Sequence, residues 1–173
     1  MSFPMDRELL QDLADALRNR FYGKYRGTVT EVDAATLRIR ATVPAVLGAT
    51  PTGWCLPCVP YAGQDVGMFF VPDVGAAVWI EFEGGDVSLP VWAGCFWRSG
   101  ELPADASPAV RGIVTGAPHR LLFDDDSAEV TLADANDNTV SLDASGVTQA
   151  RGSQKLVLSD SSVSFNDGAM EVS

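Results

Sequence analysis

Positive charge is scarce in this 173-residue sequence, where 12 Lys and Arg stand against 23 Asp and Glu for a net charge of −11. Such a surface repels nucleic acid and anionic membranes, which argues against functions that need broad phosphate contact. Long apolar runs are missing as well, and none approaches the ~20 residues that a helix needs to cross a bilayer. The N-terminus lacks a basic segment followed by an apolar core, so assembly in the cytoplasm without a signal peptide is expected. Histidine occurs once and cysteine three times, and in a reducing compartment three cysteines are expected as thiols rather than as a disulfide framework. There is no P-loop, no dinucleotide-binding fingerprint and no Gly-x-Ser-x-Gly elbow. The residues nominate no catalytic group and no cofactor, and no enzyme is expected.

What is present is concentrated between Trp54 and Trp97, a stretch that holds all four tryptophans and all three cysteines. Gly, Pro and Asp divide it into short apolar runs at Trp54 to Tyr61, Met68 to Val71, Ala76 to Phe82 and Leu89 to Trp97, a pattern that predicts β-strands. Val78, Ile80 and Phe82 alternate with Trp79, Glu81 and Glu83, so one strand face is apolar and the other at least partly wet. Glu83-Gly-Gly-Asp86 reads as a hairpin turn. Upstream, Gly27 to Val32 and Thr36 to Val43, joined by Asp33-Ala-Ala35, form a second hairpin in which Leu37, Ile39, Ala41 and Val43 share the buried side. A small, closed or nearly closed antiparallel barrel accommodates these strands.

Residues 4 to 21 are the one convincing helix, with Leu9, Leu13, Leu17 and Phe21 in a stripe and Pro4 in the first turn. That stripe packs either on the chain's own barrel or on a neighbouring subunit. Residues 99–118 lack a sustained period and are punctuated by Pro103, Pro108 and Gly116, which predicts a linker. Residues 119–173 then follow a different grammar. Apolar residues alternate in pairs or triplets, as Leu121 and Phe123, Val130 and Leu132, Val140 and Leu142, Leu156 and Leu158, Val163 and Phe165, and Met170 and Val172. Each pair marks a short strand with one apolar face. So few inward side chains make a marginal core for one chain, and three identical chains around an axis would cover them.

Several residues invite a chemical reading. Cys55 and Cys58 have the C-x-x-C spacing of redox or half-zinc sites, with Cys95 a third possible metal ligand, but the pair lies in a strand-like run and its members should point to opposite faces. Structural thiols are expected. His119 has no partner that would make it a catalytic base. Asp124-Asp125-Asp126 is followed by no calcium loop and reads as a solvated turn. Tyr61, Phe69, Phe70, Trp79 and Trp92 are candidate stacking surfaces for single-stranded nucleic acid or carbohydrate, although Arg38 and Arg40 form the only basic pair nearby.

Pro72, Asp73, Gly75 and Val78, followed by Phe82, Gly85, Asp86, Pro90, Val91 and Gly94, match the motif order of the central spike proteins of contractile tails. These comprise phage baseplate spikes, the valine-glycine-repeat proteins of type VI secretion and the spikes of phage-tail-like injection particles. Gly27, Val29, Val32 and Pro44 match more loosely, and His119 to Asp126 resembles the start of the spike shaft. The resemblance implies a mainly β chain: an N-terminal helix (1–22), a five-stranded antiparallel OB-type barrel (23–98), a linker (99–118) and a β-helix or β-prism shaft (119–173) made by an intertwined homotrimer. It implies a structural part of a phage tail or tail-like particle, attached to a separate baseplate hub protein and used to puncture the target cell envelope. The stripe Leu9, Leu13, Leu17 and Phe21 would dock on the hub, and the twelve alternating apolar residues would form the trimer core. The chain resembles a short form without the fused hub or lysozyme domain of longer members, and a separate tip protein would cap the shaft. The alternative is a generic OB-fold binding module with an acidic tail.

Overall fold

A computed structural model describes residues 7, 10–12, 14 and 19–172, with Glu171 described in its backbone only. Residues 7, 10–12 and 14 are helical; Leu9, Leu13 and Leu17 of the expected docking stripe lie outside the described residues. The chain divides into two units, Met1–Gly100 and Glu101–Ser173.

The first unit is a curled five-stranded sheet in the order β2-β1-β6-β7-β3. Its strands are β1 (Tyr25–Val32), β2 (Ile39–Thr42), β3 (Leu56–Pro57), β6 (Ala77–Phe82) and β7 (Pro90–Cys95), while β4 (Ala62–Gly63) and β5 (Val66–Gly67) make a separate small hairpin. The free edge of β2 meets the segment that leads into β3. There the Thr52 amide donates to the Ala41 carbonyl and the Cys55 amide to that of Ile39, both at 2.8 Å, and the ring closes. Alternation fills the interior as the sequence indicates: Val29, Ile39, Ala41, Val43, Val78, Ile80, Phe82 and Trp92 are buried around Cys55. Phe21 packs against this core, its ring edge-on to Tyr25, which in turn lies 5.9 Å from Phe82.

Four expectations for this unit need correction. The barrel is not wholly antiparallel, because β3 runs parallel to β7. The run Met68 to Val71 is not a strand; its residues follow the β4–β5 hairpin, where Met68, Phe69 and Phe70 are exposed. Leu37 is not in the core either, since the turn extends through Arg38 and holds Leu37 at φ +55°, bonded back to the Asp33 carbonyl. Finally, the turn expected at 83–86 does join a hairpin, β6 to β7, but the connection runs on to Leu89 and opens with a 3-10 turn over Glu83–Gly85, with Gly84 and Gly85 both at positive φ.

The second unit is an eight-stranded antiparallel meander, β8 (Val110–Val114), β9 (Arg120–Asp124), β10 (Glu129–Ala133), β11 (Asn138–Asp143), β12 (Gly146–Arg151), β13 (Gln154–Leu158), β14 (Val163–Phe165) and β15 (Met170–Val172), each paired with its sequence neighbour. The predicted linker 99–118 is thus too long: its second half contains β8, which pairs with β9 from Val110↔Asp124 to Val114↔Arg120. Gly112 disguises that strand in the sequence, and the close approach of the neighbouring strand explains why it is glycine. A Cβ there would stand 2.5 Å from Leu122 Cδ2.

The turns of this unit are closed by their own side chains. Asp124 Oδ1 accepts the amides of Asp126 and Ser127, Asp143 Oδ1 that of Ser145, and Asp134 Oδ1 those of Asn136 and Asn138, while both Asn side-chain amides donate to Asp134 Oδ2. These donors favour the carboxylate over the acid. The Asn138 and Asn136 side chains, with their backbone amides, hold Asp134 far below the usual carboxylate range.

Two outcomes are expected. Ile80→Ala, at a fully buried site, should cost the first unit about 2–5 kcal/mol in denaturant unfolding, the usual range for such a truncation. Asp134→Ala should destabilise the second unit at neutral pH. Because the folded-state pKa is depressed, the Asp134 contribution is complete above the unfolded value of 3.8 and is lost as pH falls below it. Parent and variant unfolding curves should therefore converge in acid; a gap independent of pH would show that the carboxylate is not what closes the turn.

Candidate assembly surfaces

The fold separates the chemically suggestive residues of the first unit. Cys55 is buried with its Sγ 3.2 Å from Thr52 Oγ1, and burial pushes its thiol pKa up. Cys58 and Cys95 are both exposed, and desolvation raises the Cys95 thiol too. A raised pKa disfavours the thiolate that metal binding and redox exchange require. Among the described residues no cluster of three or more His, Cys, Asp or Glu is arranged to hold a metal.

The aromatic candidates divide between two places. Tyr61, Phe69, Phe70 and Trp92 line a groove of about 830 Å³ between the β4–β5 hairpin, Leu37 and Pro57. Phe69 is 70% exposed. Trp79 lies elsewhere, 4.8 Å from Phe96, with the Arg26 guanidinium over both rings. Arg40 covers Trp54 and pairs with Glu31 at 3.3 Å. Among the described residues that line the groove, the only ionisable ones are Asp65 and Tyr61, and none supplies the cations that a nucleic-acid track uses beside its aromatics. His119 acts in the chain's turn chemistry through its backbone: its amide donates to Thr115 Oγ1 and its carbonyl accepts from the Thr115 amide.

The second unit gathers what the first disperses. Leu121 pairs with Leu132, Phe123 with Val130, Val130 with Leu142, and Leu132 with Val140. Leu142 pairs with Val147 and Val147 with Leu158; Leu156 pairs with Phe165, Leu158 with Val163, Phe165 with Met170, and Val163 with Val172. Directly opposed residues in an antiparallel ladder point to the same face, so all twelve of the predicted trimer-core residues share one face of one sheet. Ile113, opposite Leu121, and Val147 extend it. Neither was singled out in the sequence, Ile113 because it lies in the supposed linker and Val147 because its neighbour Gln149 breaks the alternation.

This face is largely open in the single chain. Leu132 and Met170 are each 55% exposed, and Phe123, Leu142 and Leu158 are also exposed. The other face carries Thr131, Ser141, Thr148 and Ser164 in register across adjacent or nearby strands. A continuous exposed apolar face of this extent marks an interaction surface.

Comparison with known families accounts for both units. The family model for the type VI secretion system/phage-baseplate injector OB domain matches residues 25–97. That for the phage baseplate V C-terminal trimerisation domain matches residues 112–171. No curated protein matches the chain. The trimerisation match supports a homotrimer. With an injector OB domain followed by a baseplate trimerisation domain, the chain belongs to the baseplate spike proteins of phage tails and type VI secretion.

Proposed function

We propose that three copies of this chain assemble into the central spike of a contractile injection machine, with the second units forming a shaft that breaches the target envelope. The observation that carries the reading is the apolar face: a ladder-aligned row of Leu, Val, Phe and Met running across eight strands, with nothing over it among the described residues of its own unit.

Geometry favours one way of closing three such sheets. Strands of five or six residues are about 17–20 Å long, whereas eight strands side by side extend about 35–40 Å. A triangular prism with walls 17–20 Å wide has its axis about 5 Å from each wall, half the ~10 Å at which sheets pack face to face. With the long dimension as the wall, that distance would be about 11 Å and the centre would be empty. The strands therefore cross the axis and the sheets stack along it. Each strand finds its hydrogen bonds within its own chain, which favours a prism of three complete sheets over the intertwined arrangement expected from the sequence. The final two strands have only three residues each, so the prism narrows toward β15.

In this reading the barrel, with the segment ahead of it, attaches the spike to a separate hub protein, and a separate tip protein covers the β15 end. Sheath contraction supplies the force; this chain supplies a narrow body whose apolar interior has to be exposed before it can bend or fray. The generic binding-module alternative has the aromatic groove in its favour but leaves the apolar sheet face unused.

The mass of the full chain in solution decides between them. A trimer is expected, and Leu132→Asp, which places a charge at the interior of all three walls, should release monomers in which the barrel still melts cooperatively. A monomeric parent would sink the spike reading.

A further inference from the structure

Four cations occur in the second unit. Arg111 is paired with Asp125, Arg120 with Asp105 at 3.2 Å and Lys155 with Asp167 at 2.5 Å. Arg151 alone of the four has no acidic partner among the described residues, and it is exposed. It stands at the end of β12 and shares the apolar face, directly opposite Asn138 and Gln154. There it borders a notch of about 530 Å³ that also contains Val140, Gln149 and Leu156.

The meander gives the sheet two unlike flanks. On the Arg151 flank lie the turns β8–β9, β10–β11, β12–β13 and β14–β15. On the opposite flank lie β9–β10, β11–β12 and β13–β14, which present Asp126, Asp143 and Asp160. Asp126 and Asp160 have carboxylates without a bonded partner among the described residues, whereas Asp143 Oδ1 accepts from the Ser145 hydroxyl as well as its amide. No Lys or Arg occurs in those three turns.

We infer that Arg151 of each chain pairs across the corner of the trimer with Asp160 and Asp143 of the next, and that this contact fixes how the three sheets meet. The inference rests on the prism reading above. When three identical walls surround a threefold axis, every corner joins one flank of a sheet to the other flank of its neighbour. Rotation alone relates the copies, so equivalent turns stay at equal height. The Arg151 turn, between β12 and β13, then lies one strand spacing, about 5 Å, from both the Asp143 turn and the Asp160 turn of the adjacent chain. An arginine side chain spans that distance. At the β10–β11 turn the match is unfavourable, because Asp134 and Asp137 stand one strand spacing from Asp126 and Asp143 on the other side. Arg120, on the same flank beside the β8–β9 turn, is already held by Asp105, which leaves Arg151 as the cation on that flank without an acidic partner among the described residues.

The test uses the full-length Arg151→Lys variant, which keeps the charge and supplies an amine for zero-length carbodiimide coupling to carboxylates. Within one chain, position 151 and Asp160 stand on opposite flanks, separated by about 17 Å of strand, beyond the reach of a direct amide. An amide between position 151 and Asp160 or Asp143, found by peptide mass mapping and accompanied by covalent dimers and trimers, is the expected result. As a second measure, Arg151→Asp should raise the concentration at which the trimer dissociates about tenfold or more, since each of three corners then brings like charges together. Arg151→Asp combined with Asp160→Arg should recover most of that loss. A trimeric mass with no such amide and no recovery in the exchanged variant overturns the corner pairing while leaving the prism intact. A monomeric parent overturns the prism itself.

Discussion

An antiparallel sheet places every second residue on the same side, and among the described residues of the second unit nothing covers the side that carries most of its leucines. That constraint governs the rest of the molecule. The register fixes Leu121, Val130, Leu142, Leu158 and Val163 in one continuous face, and a slip of one residue in any hairpin would turn a whole strand's apolar set toward water. Among the described residues of its own unit the face has no second layer. In the proposed assembly its burial comes from copies of the same face, which would make trimerisation a condition of the fold rather than an addition to it.

The barrel meets the same requirement by curling. With Cys55 and Thr52 bonded back to Ile39 and Ala41, the sheet of the first unit has no open edge at that seam and its inward residues cover one another. Val29, Ile39, Val43, Val78 and Ile80 are essentially inaccessible to solvent. The sequence contrast between the units follows from this. A closed barrel needs large and varied inward residues to fill a tapering volume, hence Trp92 and Phe82 beside Ala41. In the proposed prism, a wall facing identical walls needs side chains of similar reach, in keeping with the repeated Leu, Val and Phe.

Much of this was legible beforehand because period-two alternation reports burial directly. Val78, Ile80 and Phe82 are buried as their alternation indicates, and the twelve alternating apolar residues of the second unit share one face of its sheet. The failures share a cause: a backbone relation that side-chain pattern does not encode. Apolar Met68, Phe69 and Phe70 resemble a buried strand, yet no strand is there to pair them, and they stay at the surface. Leu37 continues an alternation on paper, but Asp33 holds the turn one step longer and rotates Leu37 out. Val110 to Val114 reads as linker because Gly112 interrupts it, although the glycine is there to admit Leu122. The parallel β3–β7 pairing is a matter of topology, on which neither strand's own residues have any bearing.

The acidity of the second unit also acquires positional meaning. Asp124, Asp134 and Asp143 are spent on closing turns, and Asp105, Asp125 and Asp167 on pairing three of the four cations. These charges stand at the flanks and on the outer face, so they keep free monomers apart while leaving the apolar face unguarded. Two chains meeting at random orientations therefore present acid to acid over most of their perimeter, and only a meeting that brings apolar faces together gains enough burial to offset the repulsion. Charge of one sign thus selects against edge-to-edge association, for which the exposed strands β8 and β15 would otherwise be templates. The apolar face is left free of these charges, because the alternation that turns most of the leucines one way turns Thr131, Ser141, Thr148 and Ser164 the other, with Leu122 and Val157 among them.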